Sequence, residues 1–240
     1  MGNPQHYSIE LPERCMALID QLWPEAAKVR GGERPDLGPL TSTFLLSMSM
    51  PILNIPVERI ERQIDRAEGT GYADDRYLNA DAVKAFDDVI RRGRLGAAPF
   101  YRDGGWRFLA MREGPFPNIA GGMPDSMADA LSNEAAVEAA RQMPASQWIS
   151  IIRNAMAHGG IAYLDEHGRS SYGTPVKMYA FVSGKFGKPT CQHAEAECRY
   201  GLGALEGLNI LRVSETDFRD FLHEWVAWLV RTKIAKQAAA

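Results

Sequence analysis

The chain has 240 residues, 45% of them hydrophobic and 24% charged, which is enough to bury a sizeable core as one large domain or two small ones. A formal net charge of -3 excludes nucleic-acid binding driven by overall positive charge but leaves room for a local basic face. Three cysteines leave an odd thiol, and Cys191, His193 and Cys198 lack a recognisable zinc spacing, so neither a metal nor a cofactor is expected.

The segment from Met1 to His6 has no basic stretch leading into an apolar run, so no signal peptide is read there, and His6 stands where myristoylation wants Ser or Thr. His6 itself reads as part of a disordered tail. Leu11, Cys15, Leu18 and Leu22 recur at helical spacing and Pro12 suits a first turn, which predicts a helix over 12–29 that Pro24 bends or interrupts. The Gly- and Pro-rich stretch 31–39 is a connector.

Thr41 can cap the next helix, in which Phe44, Leu45, Met48, Ile52 and Ile55 form a dense apolar stripe. Pro51 and Pro56 make it a kinked helix or two helices, and the window from Thr43 to Val57 is too short to span a bilayer, so no membrane partner and a cytoplasmic location are expected. Val57, Ile60 and Ile64 continue one face. Arg59, Arg62 and Arg66 populate the other, either as a solvated face paired with Glu58, Glu61 and Asp65 or as a phosphate-facing stripe.

A helix is predicted over 80–92, with Arg91, Arg92 and Arg94 favouring its C-terminal dipole. The Gly- and Pro-rich stretch 93–131 is the least regular, with a small hairpin around Asp103-Gly104 and room for a loop that covers a site. Ser132 caps a helix through Met143, and a further helix follows Pro144 with Ser146 as its cap. After Gly160 the pattern turns to strands over 161–165, 176–182 and 208–213, and a final helix over 214–232 opens with a Ser214/Asp217 capping box.

The helix after Pro144 carries the chemistry. Trp148, Ile151, Ile152, Ala155 and Met156 recur at i, i+3, i+4, i+7 and i+8, and Gly159-Gly160 stops the helix. Arg153, Asn154 and His158 interrupt this apolar segment, with Asn154 and His158 on one face and Arg153 on its flank. The bland alternative is that Arg153 pairs with an acidic neighbour, Asn154 bridges helices and His158 caps its own helix end.

Arg153-Asn154-Ala155-Met156-Ala157-His158-Gly159 resembles the signature of the HEPN superfamily of helical ribonucleases and nucleotide-binding domains, with a looser likeness over Phe44–Arg62. The resemblance implies a mainly α fold. A HEPN-like helical bundle would span residues 1–240 as one domain, with its helical core at about 12–160, a small antiparallel sheet elaborating it at 161–213 and a C-terminal helix at 214–232. It also implies a metal-independent endoribonuclease with Arg153, Asn154 and His158 as catalytic residues, RNA as substrate and a homodimer that completes the site. Family members are often toxins or phage-defence nucleases, so a cognate antitoxin or inhibitor is a possible partner. The alternative is a non-catalytic HEPN-like module that binds RNA or a nucleotide, or only dimerises.

The residue types fit that chemistry. RNA supplies its own nucleophile, the 2′-hydroxyl. Histidine titrates near neutrality and suits proton transfer, and arginine's planar fork matches a phosphoryl group. No phosphate-cradling glycine loop, Gly-x-Ser-x-Gly elbow or His-Glu-x-x-His helix is present. His167, His193 and His223 read as surface or packing residues.

Overall fold

The computed structural model describes residues 6–28, 39–64, 80–170, 175–187 and 203–232. In chain order these form α1 (Glu10–Lys28), α2 (Thr41–Ile64), α3 (Ala80–Phe86), β1 (Trp106–Met111), α4 (Asp125–Ser132), α5 (Glu134–Gln142), α6 (Ala145–His158), β2 (Ile161–Leu164), β3 (Met178–Phe186), β4 (Leu205–Ser214) and α7 (Glu215–Arg231). The strands make one antiparallel sheet in the order β1-β4-β3-β2.

This sheet corrects the expected helical bundle. Helix accounts for 59% of the described residues, but the fold is mixed α/β, because the sheet is a middle layer rather than a C-terminal elaboration. Its first strand comes from before α6: Trp106 through Met111 pair with Val213 through Leu208. Side chains alternate between the two faces of a strand, and here both faces are buried. Tyr179, Phe181, Leu211, Val213 and Trp106 face the main core with α1, α2, α6 and α7. Ala180, Leu208 and Ile210 face a second core with Met127, Ala128 and Leu131 of α4.

The main core is strongly aromatic. Trp148 lies 5.4 Å from Trp106 and 5.1 Å from Phe221 in edge-on contacts, and Phe100 lies 5.0 Å from Trp225. Trp148 leaves its indole Nε1 buried without an acceptor among the described residues.

Several local expectations change. α2 runs through both prolines as one helix. Pro56 has no N–H for the carbonyl of Ile52 one turn earlier, and the Trp225 indole donates to that carbonyl at 3.1 Å instead. α3 ends in a single π-helical turn over Asp87–Arg91. The turn at Asp103-Gly104 leads into β1, whose partner is β4, so no local hairpin forms there. α4 was not expected, and α5 begins after Asn133 rather than being capped by Ser132. Ser146 does not cap α6, which follows Pro144 directly. The His6 carbonyl accepts from Glu10 at 2.8 Å, so His6 belongs to the start of α1 rather than to a tail. The Ser214 hydroxyl does accept from the Asp217 N–H at 2.9 Å. Cys191, His193, Cys198, Asp65 and Arg66 lie outside the described residues.

Among the described residues, no helix is long and apolar enough to cross a membrane.

Candidate functional site

The apolar stripe of α6 decides where its polar residues go. Trp148, Ile149, Ile151, Ile152, Ala155 and Met156 are all buried against the sheet and the neighbouring helices. A helix that buries so wide a stripe leaves its remaining face to solvent. Ser150, Asn154, Ala157 and His158 are exposed there, with Arg153 half-buried at the side of α2. Gly159 ends the helix in the left-handed conformation at φ 70°. Gly160 then accepts from the Val182 N–H at 2.7 Å, and a Cβ on it would sit 2.4 Å from the Val182 carbonyl oxygen. The helix end is therefore fixed against β3.

Arg153 turns toward α2. Its Nη2 donates to Glu58 Oε2 at 2.6 Å and its Nη1 to Glu61 Oε2 at 2.9 Å, leaving the side chain 23% exposed. Glu58 also accepts from Arg62 Nε at 2.7 Å, so one carboxylate bridges two guanidiniums. Partial burial pushes the Glu58 carboxyl up, but Arg62 and Arg153 pull it further down, below the usual glutamate range. Two arginines and two glutamates sum to no net charge, so phosphate is not drawn to this corner by a surplus of cations. The clamp uses two of the guanidinium's five N–H donors and leaves three.

Asn154 Nδ2 donates to the buried Ser183 hydroxyl over a long 3.4 Å. His158 is exposed and makes no side-chain hydrogen bond among the described residues. The structure thus keeps Asn154 and His158 on the outer face while Arg153 is held to one side, and no hydrogen bond joins the three.

An open cleft of about 290 Å³ lies between α2 and α6, lined by Asn54, Ser150, Arg153, Asn154 and Ala157. Asn54 Oδ1 is buried at its edge with no hydrogen-bond partner among the described residues. Sequence reasoning passed over Asn54, whose only signal was an amide within the apolar run Ile52-Leu53-Asn54-Ile55. It also paired Glu58 and Glu61 with arginines on their own helix, whereas in the fold both reach across to Arg153, Glu58 while keeping Arg62. No residue of 93–131 lines the cleft, so that segment does not cover it.

Elsewhere, His167 is exposed in a turn with its Nε2 3.6 Å from Glu166, and His223 sits 3.1 Å from Asp20. Among the described residues no three His, Cys, Asp or Glu side chains converge as metal ligands. No family model, curated protein or solved structure matches the chain.

Proposed function

We propose that this chain is a HEPN-type, metal-independent endoribonuclease that cleaves RNA by attack of the substrate's own 2′-hydroxyl. The observation that carries the reading is the division of α6: its apolar face is wholly buried, while Asn154 and His158 stand on the exposed face and Arg153 lies at its side against α2. His158 moves the proton. Arg153, steadied by Glu58 and Glu61, offers its three remaining donors to the phosphoryl oxygens, and Asn154 holds the neighbouring backbone of the substrate. One chain supplies one such set, so a second copy completes the cleft around a twofold axis. A toxin or defence role, with a cognate antitoxin as partner, follows only from the resemblance.

A second reading has its own support. The two carboxylates on Arg153 favour a non-catalytic module in which this residue is a structural tie and the exposed face binds RNA or a nucleotide, or only dimerises. RNA degradation by purified protein in EDTA separates the two. The ribonuclease reading expects products with 2′,3′-cyclic phosphate ends and a loss of about 10²–10⁴ in rate for His158→Ala. Arg153→Ala should be comparably severe and Asn154→Ala milder. Equal cleavage of a 2′-deoxy substrate, or loss of activity in EDTA, would sink the mechanism.

A further inference from the structure

α2 carries one residue that its packing does not explain. Asn54 follows two wholly buried side chains, Ile52 and Leu53, in the run Ile52-Leu53-Asn54-Ile55. Its Oδ1 is buried without a hydrogen-bond partner, and no described residue pairs with its Nδ2. A buried acceptor left unpaired is a loss to folding, and an apolar side chain of similar shape would remove that loss. A local rule broken in this way marks a place that something outside the free chain completes.

What lies beside Asn54 is the α2–α6 cleft. Ser150, Arg153, Asn154 and Ala157 stand at i, i+3, i+4 and i+7 of α6 and so share one face, and Asn54 precedes Glu58 by one turn of α2. Glu58 is one of the two carboxylates that hold Arg153. The Arg153 clamp and the Asn54 amide are therefore offset by about 6 Å along α2, a separation that a single nucleotide bridges from its phosphate to its base edge. A volume of about 290 Å³ is at the low end for ligand pockets, which suits one nucleoside and not a duplex.

The lining also selects among bases. Glu58 and Glu61 are both taken up by arginines, so base reading falls to the amide. An asparagine side chain sets an acceptor beside a donor, and adenine answers with its N6 amino group beside the N7 acceptor. Guanine presents two adjacent acceptors on the same edge, O6 and N7, which suit arginine or lysine instead. The terminal torsion of asparagine is broad, so the amide can turn both of its ends toward the cleft.

We propose that the cleft takes one adenine base of an RNA strand, read by the Asn54 amide, with a neighbouring phosphate on the free donors of Arg153. Asn54 touches the base and not the reacting atoms, which makes it a specificity-determining residue. The choice of RNA as the ligand rests on the ribonuclease reading.

The test compares labelled oligoadenylate and oligouridylate by fluorescence anisotropy in EDTA, on a His158→Ala background so that both probes stay intact. That parent should favour oligoadenylate by about 5- to 140-fold, the worth of one bidentate base contact. Asn54→Leu should cut the preference about fivefold or more, through lost affinity for oligoadenylate. Because the amide has no partner in the free chain, Asn54→Leu should leave the urea midpoint unchanged or raise it. Asn54→Ala, which cannot overpack, is measured beside it. No preference for oligoadenylate, an undiminished preference in the Asn54 variants, or a clearly lower midpoint in both overturns the proposal. The last result is the one a trapped water pairing Asn54 to the chain would give. Cleavage by protein with His158 intact is followed in parallel. Cleavage without an Asn54-dependent preference removes the adenine site alone, and an Asn54-dependent preference without cleavage removes the ribonuclease reading alone.

Discussion

Glu58 is where the electrostatics of the site can be read most directly, because a single carboxylate bridges Arg62 and Arg153. Its depressed pKa has a stability consequence with a definite sign. A carboxyl whose folded pKa lies below its unfolded value contributes stability above the unfolded value, about 4.3, and loses it as pH falls through the folded one. Glu58 is 43% exposed, so the contribution is that of a screened surface pair, about 0.2–1 kcal/mol. Glu58→Gln should lower the unfolding free energy measured in urea at neutral pH by that much, and the difference should shrink as pH falls through the depressed folded pKa. A difference that persists undiminished in acid would show that Glu58 acts through packing rather than charge. Arg212 makes the opposite case. Burial, with Arg107 beside it, pushes its pKa down to about 10, and its stabilising partners among the described residues are the carbonyls of Ala128 and Leu131 at the end of α4 rather than a carboxylate.

At the scale of elements, α2 illustrates how a local defect is repaired at a distance. Pro56 sits inside a helix and leaves the Ile52 carbonyl without its usual donor, and the Trp225 indole on α7 supplies one. This coupling is measurable. Trp225→Phe should destabilise the protein by about 1–3 kcal/mol for the buried acceptor left unpaired. In a Pro56→Ala background the restored backbone N–H satisfies Ile52, so the same change should cost less. A double-mutant cycle by urea unfolding reports the difference directly, and strict additivity would rule the coupling out. The ends of α6 show the same dependence on neighbours: Pro144 starts it without a side-chain cap, and Gly160 fits because β3 passes too close for a Cβ.

For the molecule as a whole, the proposed chemistry requires two copies. One chain presents one His158 on the outer face of α6 with one Arg153 at its side, and closed twofold symmetry is the commonest way to double such a half-site. Sedimentation at micromolar concentration should therefore give a dimer, and His158→Ala should leave it a dimer. A monomer at all concentrations would remove the composite site. A mixture of Arg153→Ala and His158→Ala chains that regains activity would support a site shared between subunits.

The sequence alone determined the helices with clean apolar periodicity. α6 buries the residues its spacing named, because a stripe recurring every three to four positions has one way to hide from water. It also marked Arg153, Asn154 and His158 as polar residues that an apolar helix does not need, and the Gly159 stop as a left-handed position. What it could not determine depended on partners distant in the chain. β1 lies in a Gly- and Pro-rich stretch and becomes a strand only because β4, about a hundred residues later, supplies its hydrogen bonds. That pairing turned an expected surface elaboration into the middle layer of the fold. Only tertiary structure brought Glu58 and Glu61 onto Arg153 and set Asn54 beside the cleft. Local propensity acts over a few residues, whereas the charge balance of a site is set by whichever helices and strands the buried core draws together.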